Sequence, residues 1–171
     1  MELSEVYEIF FPKIYNYIFY RVLHKQITED LVSVVFLKVA EKFDTFKPDR
    51  GSVSAWIFKI AENTLNDYFR SPRAILISFD DLPANETPKL DFDEQTMLIK
   101  NETRQELYGA LSKLDERTRD IISQKYFLEK TLRQIADEKG MNEKTVSTIH
   151  NRGLASLRKA VGDGVKIGPD I

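Results

Sequence analysis

Apolar positions recur at helical spacing in the amino-terminal part of the chain. Residues near 3 to 23 place apolar side chains four residues apart, the segment from Asp30 to Phe43 repeats the pattern, and a third segment opens at Gly51. Side chains spaced in this way lie on one face of a helix, so the pattern predicts three helices around one small core. The predicted core positions are Val6, Phe10, Ile14 and Ile18, then Leu31, Val35, Val39 and Phe43, then Val53, Trp56, Ile57, Ile60, Ala61 and Tyr68.

Helical spacing fades after Ser71 and resumes at Ile99. Three prolines interrupt the intervening stretch, and its acidic residues outnumber its basic ones. Composition alone favours a solvated connector there, because such a segment buries little apolar surface. The prediction is an all-α fold of two small helical domains joined by an acidic linker. Its parts are residues 1–72, the linker 73–98, residues 99–161 and a flexible tail at 162–171.

The second helical part carries the start and stop signals of a helix-turn-helix. Asp115, Thr131 and Asn142 are predicted N-caps, and Thr131 with Gln134 fits a capping box. Gly140 permits the turn that separates a short helix from a longer one. The order of these signals predicts helix, turn, helix, with the second helix available to enter a DNA groove.

The longer helix is predicted to be basic on its outward side. Between residues 142 and 160, four bases oppose one acid, so the segment is locally +3 in a chain of formal charge −2. Arginine and asparagine can bond base edges, while lysine and hydroxyl groups suit phosphate oxygens. A solvated amphipathic helix of a bundle is the alternative. The outward side chains are Lys144, Thr148, Asn151, Arg152 and Arg158.

Composition excludes several kinds of chemistry. The chain has no cysteine, and His24 and His150 are its two histidines, so thiolate metal sites and histidine-rich centres lack ligands. It also lacks a phosphate-binding glycine loop. We therefore expect no metal, no cofactor and no catalytic activity. No apolar run approaches the roughly 20 residues that span a bilayer, so we expect a cytoplasmic protein without membrane insertion.

The third helix has a polar stripe that suits nucleic acid. Its four members follow one another at spacings of four, three and four residues, which places them on one face. Glu62 and Asp67 beside them dilute the charge, so a plain solvated face fits these residues equally well. The stripe consists of Lys59, Asn63, Asn66 and Arg70.

Aromatic residues flank this stripe. Phe46, Tyr68 and Phe69 are candidates for stacking on unpaired bases if their rings are exposed. Most of the other aromatic residues are expected to fill the core. These include Tyr7, Phe10, Tyr15 and Trp56.

Three stretches of the chain resemble the extracytoplasmic-function group of sigma-70 family RNA polymerase sigma factors. Residues Thr28 to Leu37 are similar to the family's polymerase-docking helix, although Ser33 and Val34 stand where a Gln-Glu pair is usual. Residues 46–52 and 55–63 resemble the loop and helix that open the −10 element. Leu114 to Arg117, together with the helix-turn-helix at 131–158, look like the −35 reader, where Ser147 and Ile149 replace usual basic residues.

The resemblance implies a role for each group of residues. Polymerase-binding residues would be Asp30, Leu31, Ser33, Val34, Phe36 and Leu37. Residues for −10 recognition and melting would be Phe46, Lys59, Asn63, Asn66 and Arg70. Residues for −35 recognition would be Thr131, Arg133, Lys144, Ser147, Thr148, Asn151 and Arg152.

The resemblance also implies partners. They are core RNA polymerase and promoter DNA, with an anti-sigma factor as a further candidate. In addition, the acidic linker would follow the RNA exit path of polymerase. Two rival hypotheses stay open from the residues. One is a helix-turn-helix regulator whose amino-terminal half senses a ligand or dimerises, and the other is a helical adaptor or enzyme that never contacts DNA.

Overall fold

The computed structural model describes residues 2–71 and 101–162, without the side chains of Arg50 and residues 101–105. Every regular element in these two ranges is helical, which confirms the all-α prediction. The described residues fall into two compact units, residues 2–71 and residues 101–162. The predicted linker at 73–98 and most of the predicted tail lie outside the described residues.

Helix α1, Leu3–Val22, forms where the first apolar stripe predicted it. A capping box between Glu2 and Glu5 satisfies backbone donors at its start, and Leu23 ends it in a left-handed conformation with φ 55°. The whole stripe is buried, which confirms the predicted core face. Its members are Val6, Phe10, Ile14 and Ile18.

Helix α2, Lys25–Lys42, begins five residues before the predicted start at Asp30. The prediction was wrong there because the cap is a histidine, which is not one of the usual capping residues. The backbone N–H of Ile27 donates to Nδ1 of His24 at 3.4 Å, so the ring nitrogen acts as the N-cap acceptor. Val32, Val35 and Val39 form the buried face of the helix, with Thr28 before them.

Helix α3, Val53–Arg70, completes the first unit. Two short 3₁₀ helices, Phe43–Thr45 and Pro48–Arg50, lead into it, and the hydroxyl of Ser52 caps it by accepting from the N–H of Ala55 at 3.1 Å. Its apolar face packs against α1 and α2, and the rings of Tyr17 and Phe58 meet edge to face at 5.7 Å. The three helices therefore share one core, as predicted.

Tyr7 was predicted to be a core residue, and that prediction was wrong. Its side chain is 46% exposed, whereas Phe10 and Tyr15 are buried as expected. Tyr7 lies one residue after the buried Val6, so helical rotation carries it toward the edge of the core face. Its ring instead packs on the surface against Phe11 and Phe36, at 5.0 and 4.9 Å between centroids.

The second unit contains four helices in the described residues. They are α4 (Asn101–Ser112), α5 (Glu116–Tyr126), α6 (Leu132–Lys139) and α7 (Glu143–Val161). Helix α7 packs against the other three. One cluster of buried apolar side chains joins α5, α6 and α7, and it consists of Ile121, Ile135, Ala136 and Val146.

The predicted helix caps of this unit are all present. Asp115 accepts from the N–H of Thr118 at 2.8 Å, and Asn142 accepts from the N–H of Lys144 at 2.8 Å. Thr131 forms both halves of its capping box. Gly140 has φ 61°, the left-handed conformation that turns the chain from α6 to α7. These contacts confirm the helix-turn-helix.

Candidate nucleic-acid interface

The outward face of α7 carries the side chains that were predicted to read DNA. Lys144, Thr148, Asn151 and Arg152 are exposed, and Ser147 is half-buried. The hydroxyl of Thr148 donates to the carbonyl of Lys144 at 2.9 Å, which leaves its oxygen as the group that can meet a DNA donor. Cationic, amide and hydroxyl groups therefore share one exposed helix face, as a major-groove reader requires.

The start of α6 supplies the other two predicted −35 residues. Arg133 is exposed. Thr131 is also exposed, but its hydroxyl accepts from the N–H of Gln134 at 3.1 Å and points its own hydrogen at Oε1 of Gln134 at 3.1 Å. The side chain of Thr131 therefore serves the helix start, while Arg133 is free to reach a phosphate.

A polar network that the sequence did not reveal holds α6 against α5. Asp120 is buried and bonds Lys139, and Nε2 of Gln124 donates to Asp120 at 2.9 Å. Lys130 then bridges Gln124 at 3.1 Å and Glu138 at 2.6 Å. Apart from the Gln124–Asp120 bond within α5, these contacts join residues 6 to 19 positions apart, so helical periodicity gave no sign of them. The network fixes the angle at which α6 meets the helix before it.

The stripe on α3 is present as predicted. Asn63, Asn66 and Arg70 are exposed along one face, and Lys59 continues the same face toward the start of the helix. Nζ of Lys59 lies 2.7 Å from Oε2 of the buried Glu62. Part of the positive charge of Lys59 is therefore balanced within the helix, and the amides and Arg70 carry most of the polar character of the stripe.

An aromatic pair adjoins this stripe. The rings of Phe46 and Trp56 pack at 5.1 Å between centroids, and both side chains are half-buried. Trp56 precedes Lys59 by one turn and Asn63 by two turns, so it borders the stripe on α3. The sequence placed Trp56 in the core and missed this position. Tyr68 and Phe69, at the other end of α3, are also half-buried, and burial raises the pKa of the Tyr68 hydroxyl.

The predicted polymerase-binding residues of α2 divide into two groups. Asp30, Ser33, Val34 and Leu37 are exposed, and Leu37 is the most open of them at 64%. Leu31 is half-buried, as is Phe36. The ring of Phe36 packs on α1 against Tyr7 and Phe11, so both helices contribute to this ring cluster. Val34 and Leu37 expose apolar side chains farther round α2, and we call the ring cluster together with these two residues the α1–α2 apolar surface.

Within residues 2–71 and 101–162, no three histidine or acidic side chains come together in a group that could hold a metal ion. None of the helices described there combines the length and the apolar character needed to cross a membrane.

Two family models match the chain, one over each helical unit. The model of sigma-70 region 2 matches residues 6–74, and the model of sigma-70 region 4 matches residues 110–159. The first match contains the α3 stripe and the α1–α2 apolar surface. The second contains the helix-turn-helix.

Relatives and a solved structure agree with these matches. The chain is 26% identical to the ECF RNA polymerase sigma factor SigX of Bacillus subtilis over 90% of this chain and 80% of that protein. It is 26% identical to BldN of Streptomyces coelicolor, also an ECF sigma factor, over 95% of this chain and 61% of that protein. Its fold is similar to that of the sigma factor RpoE of Bartonella quintana, solved in complex with the anti-sigma factor NepR, with TM-score 0.63, 17% identity, and coverage of 95% and 98%.

Two helical units, one with an exposed groove-reading helix, define a DNA-binding protein of the all-α class. More particularly, the chain belongs to the extracytoplasmic-function group of the sigma-70 family. Its function is that of an RNA polymerase sigma factor, which binds core polymerase and recognises promoter DNA at transcription initiation. Sigma factors as a class are initiation factors rather than enzymes.

Proposed function

We propose that the two helical units divide promoter recognition between them. Residues 1–72 form the domain that docks on core polymerase and opens the −10 element. Residues 99–161 form the domain that reads the −35 element as duplex. The acidic linker at 73–98 joins the two domains.

The observation that carries the −35 assignment is the exposed face of α7. Its side chains include Lys144, Asn151 and Arg152, which offer a cation, an amide and a guanidinium to the major groove. Arg133 at the start of α6 and the helix ends around it suit phosphate contacts. The polar network between α5 and α6 supports this role, because it holds α6, the first helix of the helix-turn-helix, in place against α5.

The −10 assignment depends on the α3 stripe and the aromatic pair beside it. Amide groups on Asn63 and Asn66 can bond the exposed edges of unpaired bases, and the rings of Phe46 and Trp56 offer a stacking surface at one end of the stripe. Capturing unpaired bases offsets the few kcal/mol that unstacking costs per step, at about 1 to 3 kcal/mol for each stacked base. Opening by this route requires no nucleotide hydrolysis, and we propose no catalytic role for the chain.

Docking on core polymerase is assigned to the α1–α2 apolar surface. Val34 and Leu37 expose apolar side chains beside Asp30 and Ser33, so the surface has an apolar centre with a polar border, as many protein interfaces do. The ring cluster of Tyr7, Phe11 and Phe36 holds α2 against α1 and makes the surface rigid. A rigid surface loses little side-chain entropy on binding.

The proposed function also implies where in the cell the chain acts and how a partner would regulate it. A subunit of RNA polymerase acts in the cytoplasm, and the proposal places the chain there. The RpoE neighbour binds the anti-sigma factor NepR, which makes an anti-sigma protein a candidate partner of this chain as well. Such a partner would inhibit by covering surfaces that polymerase also uses.

Transcription in vitro tests the proposed function. Core polymerase with the purified chain should start RNA at new, defined positions, and core polymerase alone should not. The chain alone should leave those promoters unprotected in a footprint, because the docked state is required for recognition. A footprint from the chain alone, without new start sites, would instead support the helix-turn-helix regulator.

A further inference from the structure

His150 of α7 is buried, and it precedes the exposed Asn151 in the chain. It is 7% exposed, and its ring stacks on Tyr126 of α5 at 5.8 Å between centroids and 20° between planes. Nδ1 of His150 lies 3.1 Å from Oδ1 of Asn151. Nε2 is buried without a hydrogen-bond partner among the described residues. The ring is therefore held by packing on one side and by a single polar contact on the other.

The contact with Asn151 is a hydrogen bond in one tautomer of the imidazole. A carboxamide oxygen can only accept a hydrogen bond, so this is the tautomer with the proton on Nδ1, which then donates to Oδ1 of Asn151. The buried Nε2 then keeps its lone pair, which is the less costly form of an unpartnered nitrogen. The exposed Asn151 is consequently held by its oxygen, and its amide NH₂ group remains available to the groove.

We propose that His150 is a positioning residue for −35 recognition, which orients the Asn151 carboxamide through Nδ1 so that its NH₂ group donates to a base edge. The matching base edge presents acceptors, namely purine N7, guanine O6 or thymine O4. The inference rests on the proposed function, because it requires α7 to lie in the major groove. Without His150 the exposed Asn151 side chain samples several rotamers, and ordering it on DNA costs affinity.

Holoenzyme binding to duplex promoters tests the proposal. A promoter selected from random duplexes with the wild-type holoenzyme is varied one base pair at a time across the −35 element. The variants are Asn151→Ala, His150→Phe, His150→Asn and the double variant Asn151→Ala with His150→Phe. Phenylalanine keeps the ring that packs on Tyr126 and removes Nδ1, while asparagine can replace Nδ1 with its own amide nitrogen. Thermal unfolding of each variant reports whether packing has changed.

We expect the loss of sequence discrimination to be confined to one base pair of the −35 element. Asn151→Ala should lose about 5-fold to 100-fold discrimination at one base pair, the range of a specific side-chain contact. His150→Phe should lose part of that discrimination at the same base pair, His150→Asn should restore it, and the double variant should match Asn151→Ala alone. A loss spread evenly over all base pairs, or an additive double variant, would show that His150 only packs the core.

The same measurements separate this proposal from the proposed function. If Asn151→Ala changes no base preference while the holoenzyme still selects −35 elements, the domain assignment stands and the positioning role of His150 is wrong. If neither wild-type nor variant holoenzyme distinguishes −35 sequences, the −35 assignment itself has failed, and this inference fails with it.

Discussion

Gly153 of α7 lies directly against Thr118 of α5. A Cβ atom placed on Gly153 would be 2.5 Å from Cγ2 of Thr118 and 2.8 Å from Cδ1 of Ile122, distances that real Cβ atoms do not reach. The glycine therefore allows the reading helix to approach α5 more closely than any other residue would. It lies two residues after Asn151 and one after Arg152, so this contact also sets the depth of the proposed DNA-reading face.

Replacing Gly153 with alanine should destabilise the second unit. The added methyl group must displace Thr118 or Ile122, and overpacking of this kind typically costs about 1 to 3 kcal/mol. Trp56, the single tryptophan, lies in the first unit, whereas circular dichroism reports helices of both units. Gly153→Ala should therefore lower the midpoint of a circular dichroism transition and leave the transition seen by tryptophan fluorescence in place.

Gly109 provides a matched control for this substitution. It is also inside a helix, α4, but nothing lies within 4 Å of a Cβ placed there. Gly109→Ala should stabilise the chain by up to about 1 kcal/mol through helix propensity. Adding Thr118→Ser to Gly153→Ala removes Cγ2 and should recover part of the loss. If Gly153→Ala is as stable as wild type, the close contact between α5 and α7 is wrong.

Asp115 should make the stability of the second unit depend on pH. The backbone N–H of Thr118 bonds the Asp115 carboxylate and holds its pKa below the ordinary value of 3.8. Because the folded-state pKa is the lower one, the extra stability is complete above the ordinary pKa and is lost as pH falls through the folded-state value. Asp115→Asn keeps a capping oxygen without the titrating group.

Thermal unfolding of wild type and Asp115→Asn between pH 6 and pH 3 checks this expectation. Wild type should be the more stable protein at pH 6, by a few tenths to about 1 kcal/mol from the charge at the helix start. The difference should shrink below the ordinary carboxyl pKa. A constant difference across the range would show that the bond from Thr118 does not favour the ionised form.

Local signals predicted most of the helices, and one unusual cap and several long-range contacts explain what was missed. Stripe spacing and caps such as Thr131 and Asn142 depend on neighbours within four residues, so the sequence displays them directly. The start of α2 was missed because His24 caps it. The exposed position of Tyr7 depends on how α1 meets α2, and the bond between Asp120 and Lys139 joins residues 19 positions apart. The periodicity of apolar residues does not predict contacts between residues so far apart in the chain.

The sequence also predicted most of the candidate site but missed some of its members. Residue type and helical phase predicted the exposed faces of α3 and α7, and the structure exposes both. The contribution of α1 to the apolar surface was missed, since Tyr7 and Phe11 reach it only through their packing on Phe36. The pairing of Trp56 with Phe46 also depends on the fold of the loop between α2 and α3. The roles of these residues stay predictions.

Leu37→Glu should weaken binding to core polymerase. Leu37 is 64% exposed on the α1–α2 apolar surface, so a charge there leaves the fold intact but meets the apolar centre of the proposed interface. We expect a loss of about 1 to 2 kcal/mol in binding, with unchanged thermal unfolding. Ile9→Glu is the matched control, because Ile9 is 48% exposed on a different side of α1. Equal losses for the two variants would contradict the assignment of the surface.

Asn63→Ala should impair promoter opening more than initial binding. Asn63 is exposed in the middle of the α3 stripe, where its amide can bond an unpaired base but has no partner in closed duplex. The holoenzyme should bind duplex promoter with nearly normal affinity and show reduced permanganate reactivity of thymines in the −10 region. Normal reactivity with weakened binding would assign Asn63 to duplex recognition instead.

Arg152→Ala, in contrast to Asn63→Ala, should impair initial promoter binding more than promoter opening. Arg152 is exposed on α7, and loss of a base contact typically costs about 1 to 3 kcal/mol, whereas loss of a phosphate contact weakens binding evenly across sequences. Initial binding should fall, while promoters that are bound should open at the normal rate. Lys159→Ala, which removes another exposed cation of α7 near the helix end, is the charge-matched control. If Arg152→Ala and Asn63→Ala slow both steps equally, the two units do not divide recognition in the proposed way.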